Sequence, residues 1–263
     1  MVGRLWLIGG TTESAQLAKA IAALQLPCTV TVTTAAATAL YPQCPHLQIV
    51  VGRLDDIQLA RFCKKWQITA ILDASHPYAI AVSKSAITLA SQYQIPYLRF
   101  ERPTLETSTP GLIHLDSFET LINGNYLEGQ RVLLTVGYKA LPLFKDWRDR
   151  ATLFARILPS VASLEAALAA GFTADRIIAF RPPIPSELEK ALWRHWDISL
   201  VVTKASGKAG GEAIKRTVAA ELAIPLVVIA RPEITYPQQT SDVSVALEFC
   251  QTRGVGESVS PGF

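Results

Sequence analysis

Several features are scarce in this chain of 263 residues, and each scarcity removes a class of protein. The four cysteines (Cys28, Cys44, Cys63 and Cys250) stand apart with no C-x-x-C pair. That spacing excludes a disulfide scaffold and a zinc ribbon, and predicts ordinary reduced thiols. No run approaches about 18 consecutive apolar residues, so no membrane span is expected. One early Arg4 followed by Leu5–Ile8 is too short for the apolar core of a secretory signal, and a cytoplasmic protein is expected. The net charge is only +3. Nucleic-acid binding would need a clustered basic face, which is missing, although a mild positive balance suits a small polyanionic substrate. No second histidine lies near His76 at ligand spacing, so no metal site is expected.

What the chain does have is rhythm. Apolar strand-like runs alternate with helical ones, starting with Leu5–Ile8 and a helix over Glu13–Leu24. Thr29–Thr33, β-branched throughout, reads as a strand by propensity. Leu47–Val51, Ile68–Leu72 and Tyr97–Phe100 follow, with helices between them, one of them capped by Asp55. This order argues a doubly wound parallel sheet, whose ligands sit beyond the carboxyl ends of the strands. After a Pro-, Thr- and Ser-rich stretch the alternation starts again and runs to a last helix over Ser241–Gln251.

The two halves overlay. Ile95-Pro96 and Arg102-Pro103 frame one five-residue run, and Ile224-Pro225 and Arg231-Pro232 frame another, at an offset of about 129 residues. Ile68–Asp73 falls on Ile198–Thr203 at about 130, and Leu5–Gly9 on Leu133–Gly137 at about 128. The expected fold is therefore α/β: two similar Rossmann-like domains with parallel sheets and a ligand cleft between them. The domains are expected over 1–103 and 113–251, with a linker at 104–112 and a loose tail at 252–263. A monomer or weak oligomer is expected.

Four strand-end loops are candidates for chemistry. Gly9, Gly10, Thr11, Thr12 and Glu13 open the first helix, where free N–H groups and the helix dipole favour a phosphate. The full G-x-G-x-x-G spacing is absent, because Thr11 and Glu13 occupy glycine positions. Arg53 follows the third strand and Thr34 the second, and both suit a ribose 2′-phosphate; Arg53 also reads as a plain surface residue beside Asp55 and Asp56. From Pro27 to Leu54 the chain holds neither Asp nor Glu, so the acid that usually binds the 2′-OH of NAD is missing, which favours NADP. Asp73, Ser75, His76 and Tyr78 gather an acid, a hydroxyl, an imidazole and a phenol at a strand end. Lys204, Ser206, Gly207 and Lys208 form a basic, glycine-rich loop before a helix, which reads either as an anion site or as a solvated surface turn.

With these loops in view, the chain resembles the precorrin-6A reductase family of cobalamin biosynthesis, which includes the cobalt-precorrin-6A reductases. The resemblance rests on G-G-T-T-E at Gly9–Glu13, G-R-L at Gly52–Leu54 and D-A-S-H-P-Y at Asp73–Tyr78. I-P-Y-L-R-F-E-R-P at Ile95–Pro103, T-K-A-S-G at Thr203–Gly207 and I-P-L-V-V-I-A-R-P at Ile224–Pro232 complete it. Two stretches depart from the family pattern: Arg181–Pro185 in place of a G-P-F turn, and Lys208-Ala209 between Gly207 and Gly210. The resemblance implies an NADPH-dependent oxidoreductase that reduces one macrocycle double bond of precorrin-6A, or its cobalt form, to the 6B product. Gly9–Glu13, Thr34 and Arg53 would hold NADPH. Ser75, Lys204, Ser206, Gly207 and Lys208 would meet the many carboxylates of the tetrapyrrole. His76, Tyr78 and Asp73 are the candidates for proton handling. The rival readings are a two-domain nucleotide-sugar transferase or epimerase, a cofactor-free tetrapyrrole enzyme, and a non-catalytic NADP-sensing module.

Overall fold

The computed structural model describes residues 3–105, 111–207 and 210–254. The chain forms two compact units, each built on one six-stranded parallel sheet. The first unit holds β1 (Arg4–Ile8), α1 (Thr12–Ala23), β2 (Cys28–Val32), β3 (Leu47–Val51), α2 (Asp56–Trp66), β4 (Ile68–Asp73), α3 (Ile80–Gln92) and β5 (Tyr97–Phe100). The second holds β6 (Leu112–Leu115), α4 (Phe118–Asn123), β7 (Arg131–Leu134), β8 (Thr152–Ile157), α5 (Val161–Ala169) and β9 (Ile177–Ala179). It continues through α6 (Ser186–His195), β10 (Leu200–Lys204), α7 (Glu212–Leu222) and β11 (Leu226–Ile229). The chain ends with β12 (Gln239–Thr240) and α8 (Val243–Gly254).

Strands such as β2 and β5 are buried along their whole length, as expected where helices cover both faces of a parallel sheet. One face of the first sheet packs Trp6, Ile71 and Tyr97 against α2 and α3; the other packs Leu5, Leu7 and Val30 against α1 and α8. Helix α2 starts as its sequence predicts: Asp55 accepts the Gln58 N–H at 2.8 Å, and Gln58 returns the bond at 3.0 Å. Helix α1 has no such acid at its cap; Thr11 and Ser14 form the capping box instead. Burial pushes the Cys63 and Cys250 thiols up to about 12, and these side chains are core filler rather than reactive groups.

The expected boundary at residue 251 does not describe the units. The first comprises Met1–Pro103 together with Glu233–Phe263, and the second Thr104–Pro232. The physical reason is edge pairing. β12 adds to β5, with Gln239 opposite Arg99, and α8 covers the first sheet with the fully buried Ala246 and Cys250. Likewise Leu112, expected as linker, is already the first residue of β6, which pairs with β11. The sheet orders are β12-β5-β4-β1-β2-β3 and β6-β11-β10-β7-β8-β9. Edge strand β6 of the second unit follows β5 of the first, and edge strand β12 of the first follows β11 of the second, so the first is a circular permutation of the second. Arg102-Pro103 and Arg231-Pro232 sit at the two crossings, which explains why that pair repeats.

The internal match also shifts. Ile71 N–H donates to the Pro96 carbonyl and Val201 N–H to that of Pro225, so the offset of about 130 holds for β4 and β10. Trp6 lies beside Ile71, and Leu133 beside Val201, on corresponding faces. The first strands thus match at about 127, because a slip of one residue would turn every side chain to the wrong face. This puts Gly10 (φ 99°) on Gly137 (φ 80°), two glycines that share the left-handed backbone their turns require. After Gly137 the chain runs as a 3-10 segment, Tyr138–Trp147, with Pro142 inside it, where the first unit has α1.

Candidate functional site

The chain reverses its winding direction between β1 and β4 in the first sheet and between β7 and β10 in the second, and ligand crevices form at such points. At the first, Gly9 lets the chain pass Tyr41: a Cβ there would lie 2.3 Å from the phenolic oxygen. That oxygen accepts the Gly10 N–H at 2.7 Å and lies 2.7 Å from Ser14 Oγ, and burial pushes the Tyr41 pKa up. Thr11 caps α1 by accepting the Ser14 N–H at 3.0 Å, while its hydroxyl donates to the Ala74 carbonyl at 2.8 Å. This last bond sews the start of α1 to the end of β4. Among the described residues the Thr12 and Glu13 N–H groups meet no protein acceptor, so two donors remain at the positive end of the helix dipole. The Glu13 carboxylate does not face that point alone; it pairs with Arg102 at 2.9 Å. Thr34 and Arg53 are exposed beyond the ends of β2 and β3, and Arg53 has no carboxylate partner among the described residues.

Asp73 is fully buried at the end of β4. One carboxylate oxygen accepts the Ser75 N–H (2.9 Å) and Arg99 Nη1 (2.9 Å); the other accepts the Ser83 (2.6 Å) and Tyr97 (2.7 Å) hydroxyls. The Arg99 guanidinium, 1% exposed, continues to Ser75 Oγ and the Ser75 carbonyl, both at 3.0 Å, and to Glu101 at 2.8 Å. Burial works against the Arg99 charge, but Asp73 and Glu101 outweigh it and hold its pKa above the ordinary value. Burial, reinforced by Asp73, pushes the Tyr97 phenol up as well. Asp73 and the Ser75 hydroxyl are therefore committed to an internal network that sets the loop after β4. His76 and Tyr78 are half-buried on that loop, their rings 5.8 Å apart. The Tyr78 N–H donates to His76 Nδ1 at 3.2 Å, which leaves the proton of a neutral ring on Nε2.

At the second crevice, β10 ends on Lys204. The amides of the following loop turn inward: Gly207 N–H donates to Glu212 at 2.7 Å, and the Gly210 and Glu212 N–H groups to the Gly207 carbonyl. The Ser206 hydroxyl is buried where a Cβ on Gly210 would lie 2.0 Å from it. Lys208 lies outside the described residues, and the Gly211, Ala213 and Ile214 N–H groups at the start of α7 meet no protein acceptor among the described residues. Lys204 at this edge is half-buried, its pKa lowered to about 8 by burial and then by Lys139. Behind the loop, Lys215 is 1% exposed and donates to the Gly210 and Gly211 carbonyls at 3.2 and 3.0 Å. Burial first, then Arg156, lowers its pKa to about 7.

The structure thus gathers Gly9–Glu13, Asp73, Ser75, His76 and Tyr78 at one strand crevice, with Thr34 and Arg53 at neighbouring strand ends. Lys204, Ser206 and Gly207 share the other crevice. Sequence reasoning missed Arg99, Tyr97 and Tyr41. Arg99 had a signal: a lone charge in the apolar run Tyr97–Phe100 needs a buried partner. No helix among the described residues is long and apolar enough to cross a membrane.

Comparison with known proteins covers nearly the whole chain. The family model described as precorrin-6x reductase CbiJ/CobK matches residues 4–251. A protein of Synechocystis sp. named cobalt-precorrin-6A reductase is 46% identical over 250 residues, covering 94% of this chain and 95% of that one. A protein of the same name from Priestia megaterium is 31% identical over 233 residues, covering 88% and 91%. Among solved structures, one titled CobK precorrin-6A reductase superposes with a TM-score of 0.78 at 21% identity, over 96% of this chain and 98% of that chain.

Proposed function

This chain belongs to the precorrin-6x reductase (CbiJ/CobK) family, and on that footing we propose that it reduces one double bond of the precorrin-6A macrocycle to the 6B form, with NADPH as donor. The observation that carries this reading is the 46% identity to a cobalt-precorrin-6A reductase across almost the full length of both chains. That relative's name, shared by the Priestia protein, favours the cobalt form of the substrate. The cytoplasm is the compartment that reduced, buried thiols favour.

The residues of the first crevice fit a pyridine dinucleotide. The Thr12 and Glu13 N–H groups offer two donors to a pyrophosphate, and Gly10, with open space where a Cβ would stand, lets it approach. Arg53 and Thr34 would take the 2′-phosphate, within the stretch Pro27–Leu54 that carries no Asp or Glu. When bound, NADPH supplies a hydride to the macrocycle and leaves as NADP+, and the reduced bond gains one proton besides. His76 or Tyr78 would deliver that proton. Asp73, with four donors on its carboxylate, acts as the anchor of their loop, and Glu13 acts through Arg102. Lys204 would meet carboxylates of the macrocycle.

The test is anaerobic NADPH oxidation with cobalt-precorrin-6A and precorrin-6A in parallel. Oxidation with at least one is expected, faster with the cobalt form; none with either sinks the reading. His76→Ala is expected to slow turnover with little change in the KM for NADPH. Near-normal turnover would remove His76 from proton delivery.

A further inference from the structure

We propose that Tyr41 is a positioning residue for cofactor selectivity: its hydroxyl ties the pyrophosphate turn at Gly10 to the segment that carries Thr34. The inference deepens the functional reading above and rests on it for the identity of the ligand.

The segment between β2 and β3 has little to hold it in place. Among the described residues between Val32 and Leu47, Tyr41 alone is buried. Ahead of it Ala35–Leu40 form a 3-10 turn with no buried residue, and Thr34 stands exposed at its start. Hydrogen bonds link that turn to the tyrosine. Ala37 N–H donates to the Thr34 carbonyl and Tyr41 N–H to that of Thr38, both at 3.1 Å. The Thr38 hydroxyl donates to the Ala35 carbonyl at 2.7 Å. Where Tyr41 sits therefore sets where Thr34 sits.

A phenylalanine would suffice to bury the ring. What the hydroxyl adds is a bond on each side. It accepts the Gly10 N–H at 2.7 Å. Towards Ser14 it is the donor, because Ser14 Oγ gives its own proton to the Thr11 carbonyl at 2.7 Å, and a carbonyl only accepts. Burial raises the Tyr41 pKa, so the phenol keeps the proton it donates. The Thr11 N–H closes the circuit on Ser14 Oγ at 3.0 Å. One oxygen thus fastens both the left-handed glycine and the cap of α1, whose next two amides face the pyrophosphate in the functional reading.

NADPH would use both ends of this tie, with its pyrophosphate on the turn and its 2′-phosphate on Thr34. Holding the two ends in register before the ligand arrives removes an ordering cost from binding. NADH, which has no 2′-phosphate, gains only from the turn.

Tyr41→Phe removes the oxygen and keeps the ring. In equilibrium binding to the full chain, the variant should hold NADPH about tenfold and NADH about threefold more weakly, so the preference falls about threefold. A merely structural tyrosine would weaken both by the same factor. That result, an unchanged NADPH affinity, or a wild-type chain with no preference for NADPH would overturn the proposal. Amide hydrogen exchange on the chain without ligand gives a second readout. Exchange in the variant should quicken about tenfold at Gly10 and at Ala37 alike. Faster exchange at Gly10 with Ala37 unmoved would also overturn the proposal, since turn and segment would then move separately. If the wild-type chain binds neither dinucleotide, the functional reading fails, and the exchange rates alone decide whether Tyr41 ties the two together.

Discussion

At Gly10 the turn after β1 is fastened by hydroxyls: Tyr41 on the glycine amide, Ser14 and Thr11 on each other, Thr11 on Ala74. At Gly137, its counterpart after β7, a lysine amine stands over the turn and a 3-10 segment follows instead of α1. Both units thus use one strand order and one left-handed glycine, but the first fastens its turn through hydroxyls and the second sets a lysine amine beside it. Topology fixes where a ligand can sit; a few side chains at that place decide which one. Each unit also holds buried ion pairs, Asp73–Arg99 in the first and Glu189–Arg156 and Glu212–Arg216 in the second.

The comparison can be broken at several points. The largest effect is expected from Arg99→Met, which strands the Asp73 carboxylate with its hydroxyl donors but no cation. The loss should be about 3–5 kcal/mol in denaturant unfolding, because an uncompensated buried charge is left behind. A variant within about 1 kcal/mol of the wild type would contradict the anchor role. Gly9→Val comes next: its side chain must push Tyr41 away from the Gly10 amide and Ser14. NADPH should then bind about tenfold more weakly while the KM for cobalt-precorrin-6A holds. Arg53→Ala should cut the preference for NADPH over NADH by about five- to tenfold, the worth of one charge-assisted contact at an exposed site.

The smallest effect concerns Lys215. Its folded pKa of about 7 lies below the ordinary lysine value, so above that pH the folded chain has released a proton that the unfolded chain still holds. Stability should therefore rise with pH from about 7 towards the ordinary lysine range. Below about 7 both states are protonated and the cost of the buried charge is fully felt. Lys215→Met should flatten this rise between about pH 6.5 and 8.5, read from unfolding midpoints. An unchanged slope would show that Lys215 stays charged in the fold.

Much of this was legible in the residues. The β-branched run at Thr29–Thr33, the cap at Asp55 and the apolar runs Leu47–Val51 and Tyr97–Phe100 mark their elements because local propensity and burial agree. The repeat was visible through Ile-Pro and Arg-Pro, yet its meaning as a pair of crossings was not. Edge pairing of a two-residue strand, Gln239–Thr240, leaves no pattern in the sequence, so α8 went with the wrong unit. The one-residue error at β1 and β7 has another origin: each apolar run follows a leading arginine, Arg4 and Arg131, and matching the runs without that pair hides the register that the packed faces show. At the site, residue types were readable and valence was not. Asp73 and Ser75 look like chemistry until Arg99, Ser83 and Tyr97 are seen to occupy them.

The division of labour between the two crevices is tested most directly by anaerobic steady-state kinetics on Arg53→Ala and Lys204→Met, with NADPH and cobalt-precorrin-6A each varied. A crossed pattern is predicted: Arg53→Ala raises the KM for NADPH alone, and Lys204→Met raises the KM for the macrocycle alone. Both constants rising together in either variant, or each variant affecting the other ligand, would contradict it.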